Sequence, residues 1–547
     1  MKQYPFYSTI YYNTFKDFVD DIKKYGDNPA VAYFDRKGNE VVRTYREMCS
    51  DVEAIRKALK AKGLMKKRAV LVGENSYEWL VTFLAVTSGG GVVIALNTDL
   101  DDESFERAVK YADGDYVFTS SACADAFENV FKENKENIIL LDSEEACDGY
   151  ENVQSLISMG NMSRDEKFEA IDPSDDCLLM YTSGTSSDPK AVRISHTNIL
   201  NDCSGSVAVI DLGMDIFSGL PFFHAYGLNC GALHSFMVGA KLTICGEKRN
   251  IIKDAFQSGA STFFAVPLML DVIYKRALKI VEDSGQMPLF NKIIKNHGKI
   301  RWFSKKKKLQ EIENLRQSCF GNLKRIVVGG AYTNDEVINN IECLGMRVFQ
   351  GYGITECSPL VSVNRNDFYE SNTVGTVLPG FEIKFVNGEI RLKGPSVTKG
   401  YYKNPEATSE AFDEDGWFKT GDNGYMTHDG NLVVSGRCKN LIVFKNGNKV
   451  SPENIERLLL KSQLISEAIV YTVPFGNDED DVGIAAAIYP NMEQLNGLGQ
   501  VEIFAKIQRY VDEINANMPN YQQIKCVNLR DKPFARTATG KIKLTEN

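Results

Sequence analysis

Residues Cys177–Val192 read CLLMYTSGTSSDPKAV. A short apolar run ends at Tyr181. It passes into Thr182, Ser183, Gly184, Thr185, Ser186 and Ser187, and then reaches Lys190. The apolar part has the length and composition of a buried strand. The loop after it offers hydroxyls, backbone N–H groups and one cation. A polyphosphate needs that combination: many donors and compensating positive charge. Ser, Thr and Gly are also ordinary loop residues, so the stretch takes its meaning from its surroundings.

Outward from this loop, helical and extended patterns alternate. Tyr45–Lys62 spaces its apolar residues as a helix with charges between them, Ala69–Val72 is a short buried strand, and Ser76–Val86 is another helix. Gly89–Leu96 holds a further buried strand. Asp115–Thr119, Ile138–Leu141, Lys324–Val328 and Met346–Phe349 read the same way. Strands separated by helices imply βαβ units and mainly parallel sheets. After about Gly380 the rhythm shortens to FEIKFVNGEIRLKG (Phe381–Gly394) and NLVVSG (Asn431–Gly436), which marks a smaller β-rich unit. From Leu441 the tail again mixes strand and helix. The expected class is therefore α/β and multi-domain. A large N-terminal domain (1–435) has two βαβ-type sheets plus the β-rich subdomain. A hinge follows at 436–440, and a small mobile α+β C-terminal domain spans 441–547.

A length of 547 residues exceeds one ordinary core. Net charge of -9 argues against a general nucleic-acid binder, which needs excess Lys and Arg to displace counterions. MKQYPFYSTIYYNTF (1–15) lacks the apolar core of a signal peptide, and no apolar run reaches the roughly 20 residues that cross a bilayer. The 12 cysteines are scattered without a Cys-x-x-Cys pair, so reduced thiols and a cytoplasmic location are expected. Cys177 and Cys245 sit in apolar runs as small core residues. Phe290–Gln310 is basic and carries Trp302 and Phe303. A solvated face is the preferred reading, with peripheral membrane contact or attraction of CoA as the alternative.

Three further stretches bear on chemistry. In QGYGITECSP (Gln350–Pro359), Tyr352 can stack on a base, Thr355 can donate to a phosphate, and Glu356 can offer a hard oxygen to Mg²⁺. In WFKTGD (Trp417–Asp422) a carboxylate after a Gly turn suits ribose hydroxyls. Gly436–Glu456 adds Arg437 and Lys439, and Pro533–Lys543 carries Lys541 after a Gly. Each alone is a common turn or loop.

Together, and in this order, these motifs resemble the adenylate-forming superfamily: acyl-CoA synthetases, adenylation domains of peptide synthetases and luciferases. The likeness runs from about Thr44 to Lys543. It implies that Thr182, Ser183, Gly184, Thr185, Ser186 and Lys190 cradle the β- and γ-phosphates of ATP, and that Thr185 and Glu356 help hold Mg²⁺. Gly330 and Ala331 of VVGGAYT would border the adenine, with Tyr352, between Gly351 and Gly353, stacked on it. Thr355 would contact the α-phosphate, Asp422 the ribose, and Arg437 would lie beside Asp422. Lys439 occupies the hinge position. Lys541 would reach the carboxylate and the α-phosphate, and His224 of LPFFHAYGL would lie between acyl pocket and thiol entrance. His196 is expected to support the structure only. Two departures stand in the phosphate loop: Ser187 and Ala191 replace glycines, and their side chains restrict positive φ, so slow pyrophosphate handling is an expectation.

The resemblance implies a stand-alone ligase that makes an acyl-adenylate and passes the acyl group to CoA. Loading a separate acyl carrier protein, or activating an aryl or other acid, are the alternatives; a degenerate adenylate-binding regulator comes last. The aromatic, apolar LPFFHAYGL favours an uncharged acyl chain. The helical stretch Val266–Gly285 resembles the insert of medium- and long-chain fatty-acid ligases. A P-loop is excluded because Ala535–Ile542 lacks the first Gly and the final hydroxyl, and GYGITE fails the last position of a dinucleotide fingerprint.

Overall fold

The structure is a computed structural model. It describes residues 5–35, 37–132, 134–142, 149–163, 168–182, 190–245, 248–295, 306–368, 370, 372–440, 442–444, 449–475, 482–535 and 542. Thr185 and Lys541 lie outside these residues, as do Ser183, Gly184, Ser186 and Ser187.

Among the described residues two large sheets dominate. One has the strand order Glu151–Asn152, Ile138–Leu140, Tyr116–Thr119, Arg68–Val72, Val92–Leu96, Asp176–Tyr181, Ala191–Ser195. Its interior strands pair in parallel, as the alternation of strand and helix implies. The other runs Thr376–Val377, Leu360–Val363, Arg347–Gly353, Arg325–Val328, Thr262–Ala265, Asp215–Ser218, Lys241–Ile244, Pro29–Phe34, Glu40–Thr44. Its centre is parallel too. The seven-stranded sheet turns antiparallel at one edge, Ala191–Ser195 against Asp176–Tyr181, and the other sheet towards both, Glu40–Thr44 against Pro29–Phe34 and Leu360–Val363 against Arg347–Gly353. These pairs need no crossover helix, so a helix-and-strand rhythm does not reveal them.

The two sheets share a core. Val31, Ile216 and Leu242 of one and Leu71, Val93 and Leu178 of the other belong to one buried apolar cluster. Between them lie the helices Tyr45–Ala61, Tyr77–Ser88 and His196–Val209. Helix Tyr45–Ala61 starts where Thr44 and Glu47 form a reciprocal capping box, and it buries Met48, Val52, Ile55 and Leu59, the face its sequence spacing defines. Helix Tyr77–Ser88 is buried on all sides, with Trp79 and Phe83 stacked inside it. Each such large apolar side chain contributes about 1.5–3 kcal/mol by leaving water. Helices Pro267–Asp283, Met287–Lys295 and Asp335–Cys343 cover the outer face of the larger sheet, around Phe263, Ile326 and Val348. The expected basic segment begins in Met287–Lys295; residues 296–305 lie outside the described ones.

The β-rich unit is a four-stranded antiparallel sheet, Glu382–Val386, Glu389–Lys393, Phe418–Met426 and Leu432–Arg437. Beyond it, strands Ile465–Pro474, Val482–Pro490 and Ile524–Leu529 form a sheet packed with helices Pro452–Leu459 and Gln500–Ala516 around a separate core. The chain is thus α/β, with a large N-terminal part of mixed sheets and a smaller C-terminal domain, as expected.

Candidate active site

Parallel strands deliver their C-terminal ends, and the loops that follow, to one edge of a sheet. Here Arg325–Val328 ends in Gly329 and Gly330, and Arg347–Gly353 ends in the Gly351–Glu356 stretch. Gly330 has φ of 86°, the left-handed region that a Cβ disfavours. Gly353 cannot carry a Cβ for another reason: it would sit 2.1 Å from the carbonyl oxygen of Pro359. Gly330, Gly351, Tyr352 and Gly353 line the mouth of an apolar cavity of about 60 Å³. Ala331 lies exposed beside Gly330.

Tyr352 is joined to Asp422. Its hydroxyl donates to Oδ2 at 2.6 Å, while Nε of Arg437 pairs with Oδ1 at 2.9 Å. The register of the β-rich sheet sets this up, because Asp422 and Arg437 face each other across neighbouring strands. Asp422 is buried, and its backbone N–H donates to Oγ1 of Thr420. Burial, reinforced by the Asp422 carboxylate, pushes the Tyr352 phenol well up, so it remains a donor.

Glu356 anchors a second group. It lies in the short helical turn Thr355–Cys357, and its carbonyl accepts from the N–H of Thr398 at 2.7 Å. Its Oε1 accepts from the hydroxyl of Tyr401 at 2.9 Å. The Tyr401 ring carries Nζ of Lys190 at 5.0 Å from its centroid, a cation–π contact. Lys190 faces Thr182 across the ends of their two strands, since the N–H of Thr182 donates to its carbonyl at 3.0 Å. Lys190, Glu356 and the Asp422 pair therefore all attach to the segment 352–356.

A carboxylate accepts at about four positions, and Tyr401 occupies one at Glu356. One hard carboxylate could help hold Mg²⁺, which takes few protein ligands and prefers substrate phosphates and water. Among the described residues no group of three or more His, Cys, Asp or Glu forms a closed metal centre.

Other residues fall elsewhere. The His224 ring lies tilted at 48° against that of Phe223, centroids 4.5 Å apart, and is not among the cavity-lining residues. Lys439 lies in the turn Cys438–Asn440; its side chain, like Thr185 and Lys541, is outside the described residues. Asn440 donates to Oε1 of Glu453 at 2.7 Å, tying this turn to helix Pro452–Leu459. His196 is fully buried, accepts from the N–H of Phe15, and burial lowers its pKa to about 4. Ala191 belongs to the strand Ala191–Ser195 in register with Tyr181, outside the positive-φ residues. The expected strain at that position is thus absent; Ser187 lies outside the described residues. Sequence reading missed Tyr401. Its one local signal is the Gly400 before it, whose Cβ would meet Thr408 at 2.3 Å.

The model of the AMP-binding enzyme family matches residues 18–402, and that of the AMP-binding enzyme C-terminal domain matches 439–545. The chain is 27% identical to the long-chain-fatty-acid–CoA ligase 1 of Cavia porcellus, over 83% of this chain and 70% of that protein. It is 26% identical to the 4-coumarate–CoA ligase-like 1 of Arabidopsis thaliana, over 97% and 92%. In fold it is similar to the crystal structure of the anthranilate CoA ligase AuaEII in complex with anthranoyl-AMP, with a TM-score of 0.77 at 20% identity, covering 97% of this chain and 96% of that one.

Proposed function

Because the chain belongs to the AMP-binding enzyme family, we propose that it is an ATP-dependent acid–CoA ligase. Its acid is a fatty acid of medium or long chain. The carboxylate attacks the α-phosphorus of ATP; a P–O bond forms, the α–β anhydride bond breaks, and pyrophosphate leaves. The CoA thiol then attacks the acyl carbon, a C–S bond forms, and AMP leaves.

The observation that carries this reading is the juncture at Tyr352. On one side its hydroxyl reaches Asp422; on the other its residue lines the apolar cavity. A nucleotide held there would present its α-phosphate to an acid whose body enters the cavity. Asp422 accepts from the ribose hydroxyls, and Arg437 keeps its carboxylate aimed. Gly330 and Ala331 border the base, and Tyr352 stacks on it, flanked by Gly351 and Gly353 where a side chain would intrude. Thr355 meets the α-phosphate. Thr182, Ser183, Gly184, Thr185, Ser186 and Lys190 receive the β- and γ-phosphates. Thr185 and Glu356 are the residues that would hold Mg²⁺, which, when bound, neutralises phosphate charge. Lys541 stabilises charge that builds in the first step, where preorganised cations contribute most. Lys439 sits at the pivot between the two half-reactions, and His224 flanks the thiol entrance.

The fatty acid is supported by the cavity walls, among them Ile210, Leu212, Phe264 and Leu360. The likeness to a long-chain-fatty-acid–CoA ligase supports it too. The test is carboxylate-dependent ATP–pyrophosphate exchange across acids of graded length. Exchange that requires a fatty acid supports the reading; folded protein that exchanges with none refutes it.

A further inference from the structure

The cavity has a direction. Tyr226 marks its mouth: its hydroxyl donates to the carbonyl of Val327 at 3.1 Å, and a Cβ on Gly329 would lie 3.4 Å from its ring. Tyr226 opens the π-helical segment Tyr226–Leu233, and Cys230 and His234 follow at intervals of four on the cavity side. The far end holds Ser206, Ile210, Leu212 and His234. Leu212 sits at the opposite end of the neighbouring strand, because its carbonyl accepts from Thr262, the first residue of Thr262–Ala265. A four-residue strand spans on the order of 10 Å, which separates mouth from far end.

That far end is not wholly apolar. His234 is buried, and Oγ of Ser206 lies 2.8 Å from its Nδ1. The Ser206 hydroxyl has one proton, and it points to the carbonyl of Cys203 at 2.8 Å. Towards His234 the serine oxygen can then only accept, so Nδ1 carries the imidazole hydrogen. This tautomer is assigned from the network. Burial holds the ring neutral, with its pKa lowered to about 4. Nε2 is then the acceptor of a ring that lines the cavity. An acceptor facing a cavity takes its hydrogen bond from a ligand or from water.

We propose that the acid this cavity takes carries a hydroxyl at the end remote from its carboxyl, and that Nε2 of His234 accepts its hydrogen bond. His234 is then a specificity-determining residue and Ser206 the residue that sets its tautomer. This rests on the ligase reading and narrows its substrate to hydroxy acids. An unsubstituted chain would bury Nε2 against methyl and methylene groups, and a site built for a hydroxyl discriminates strongly against the analogue that lacks it.

The test uses the full chain with ATP and CoA and follows AMP release. Matched acids share one body and differ only at the far end: methyl, hydroxyl or oxo, in an aliphatic and in an aryl series. In at least one series the wild type should favour the hydroxy acid by about 10-fold or more in kcat/KM over its methyl partner. His234→Leu should reverse that order. Ser206→Ala frees the ring to present Nε2–H, and should raise the oxo acid relative to the hydroxy acid; this arm stands even if the leucine variant does not fold. Methyl acids used as well as hydroxy acids by the wild type would overturn the proposal while leaving the ligase reading intact. So would an unchanged order in folded His234→Leu. A chain that releases AMP with no acid of either series would instead refute the ligase reading.

Discussion

The hydroxyl of Tyr352 donates to Oδ2 of Asp422 across 70 residues of sequence, at 2.6 Å. It joins the residue at the cavity mouth to the carboxylate proposed for the ribose. Tyr352→Phe keeps the ring and removes this bond. A hydrogen bond to a charged group contributes about 1.5–3 kcal/mol, so KM for ATP should rise about 10-fold or more, with the fold intact. An unchanged KM for ATP would detach Asp422 from nucleotide binding.

Tyr401 links Glu356 to Lys190 through two different interactions. Tyr401→Phe removes the hydrogen bond and keeps the ring under the ammonium; Tyr401→Ala removes both. Adenylation kcat should fall about 10-fold in the phenylalanine variant and further in alanine, measured as pyrophosphate exchange. Equal rates in wild type and Tyr401→Phe would show that Glu356 does not depend on this donor.

Both extremes of legibility appear in these residues. The strand Asp176–Tyr181 was readable, and Tyr352 and Glu356 could be singled out, because each motif is local. An apolar run, a turn and a few polar groups stand next to one another. Tyr401 was not, because it reaches Val192 through an isolated bridge and Glu356 through a side chain 45 residues away. Ser206 and His234 were hidden differently: each lies in an apolar helical stretch, and only packing brings them together. The antiparallel sheet edges escaped for the reason given above, since a hairpin leaves no helix to read.

Asp202 is fully enclosed, and burial raises its pKa well above the usual carboxylate range. Oδ1 of Asp202 and Oδ1 of Asn229 are both buried without a partner among the described residues, while Nδ2 of Asn229 donates to Oδ2 of Asp202 and to the carbonyl of Ser358. A protonated Asp202 supplies a donor that a carboxylate lacks. The folded state then binds this proton more tightly than the unfolded one, so its stabilisation is complete below pH about 4 and is lost as pH rises towards the raised folded value. Asp202→Asn cannot ionise. Its Tm relative to wild type should increase as pH goes from 5 to 8. A constant difference would show that Asp202 does not titrate in this range.

Lys541 is proposed to act in the first half-reaction only. Lys541→Ala should lose carboxylate-dependent pyrophosphate exchange by about 100-fold or more, as removal of a group aimed at developing charge does. The same variant, given preformed acyl-adenylate and CoA, should make thioester at close to the wild-type rate. Equal loss in both half-reactions would contradict a division of labour about the 436–440 segment.

The most direct measurement is AMP and acyl-CoA formation by the purified chain with ATP, CoA and a panel of fatty acids of graded length. AMP and thioester should form in equal amounts, dependent on both acid and CoA. AMP formed without thioester, or no AMP with any acid from folded protein, would contradict it.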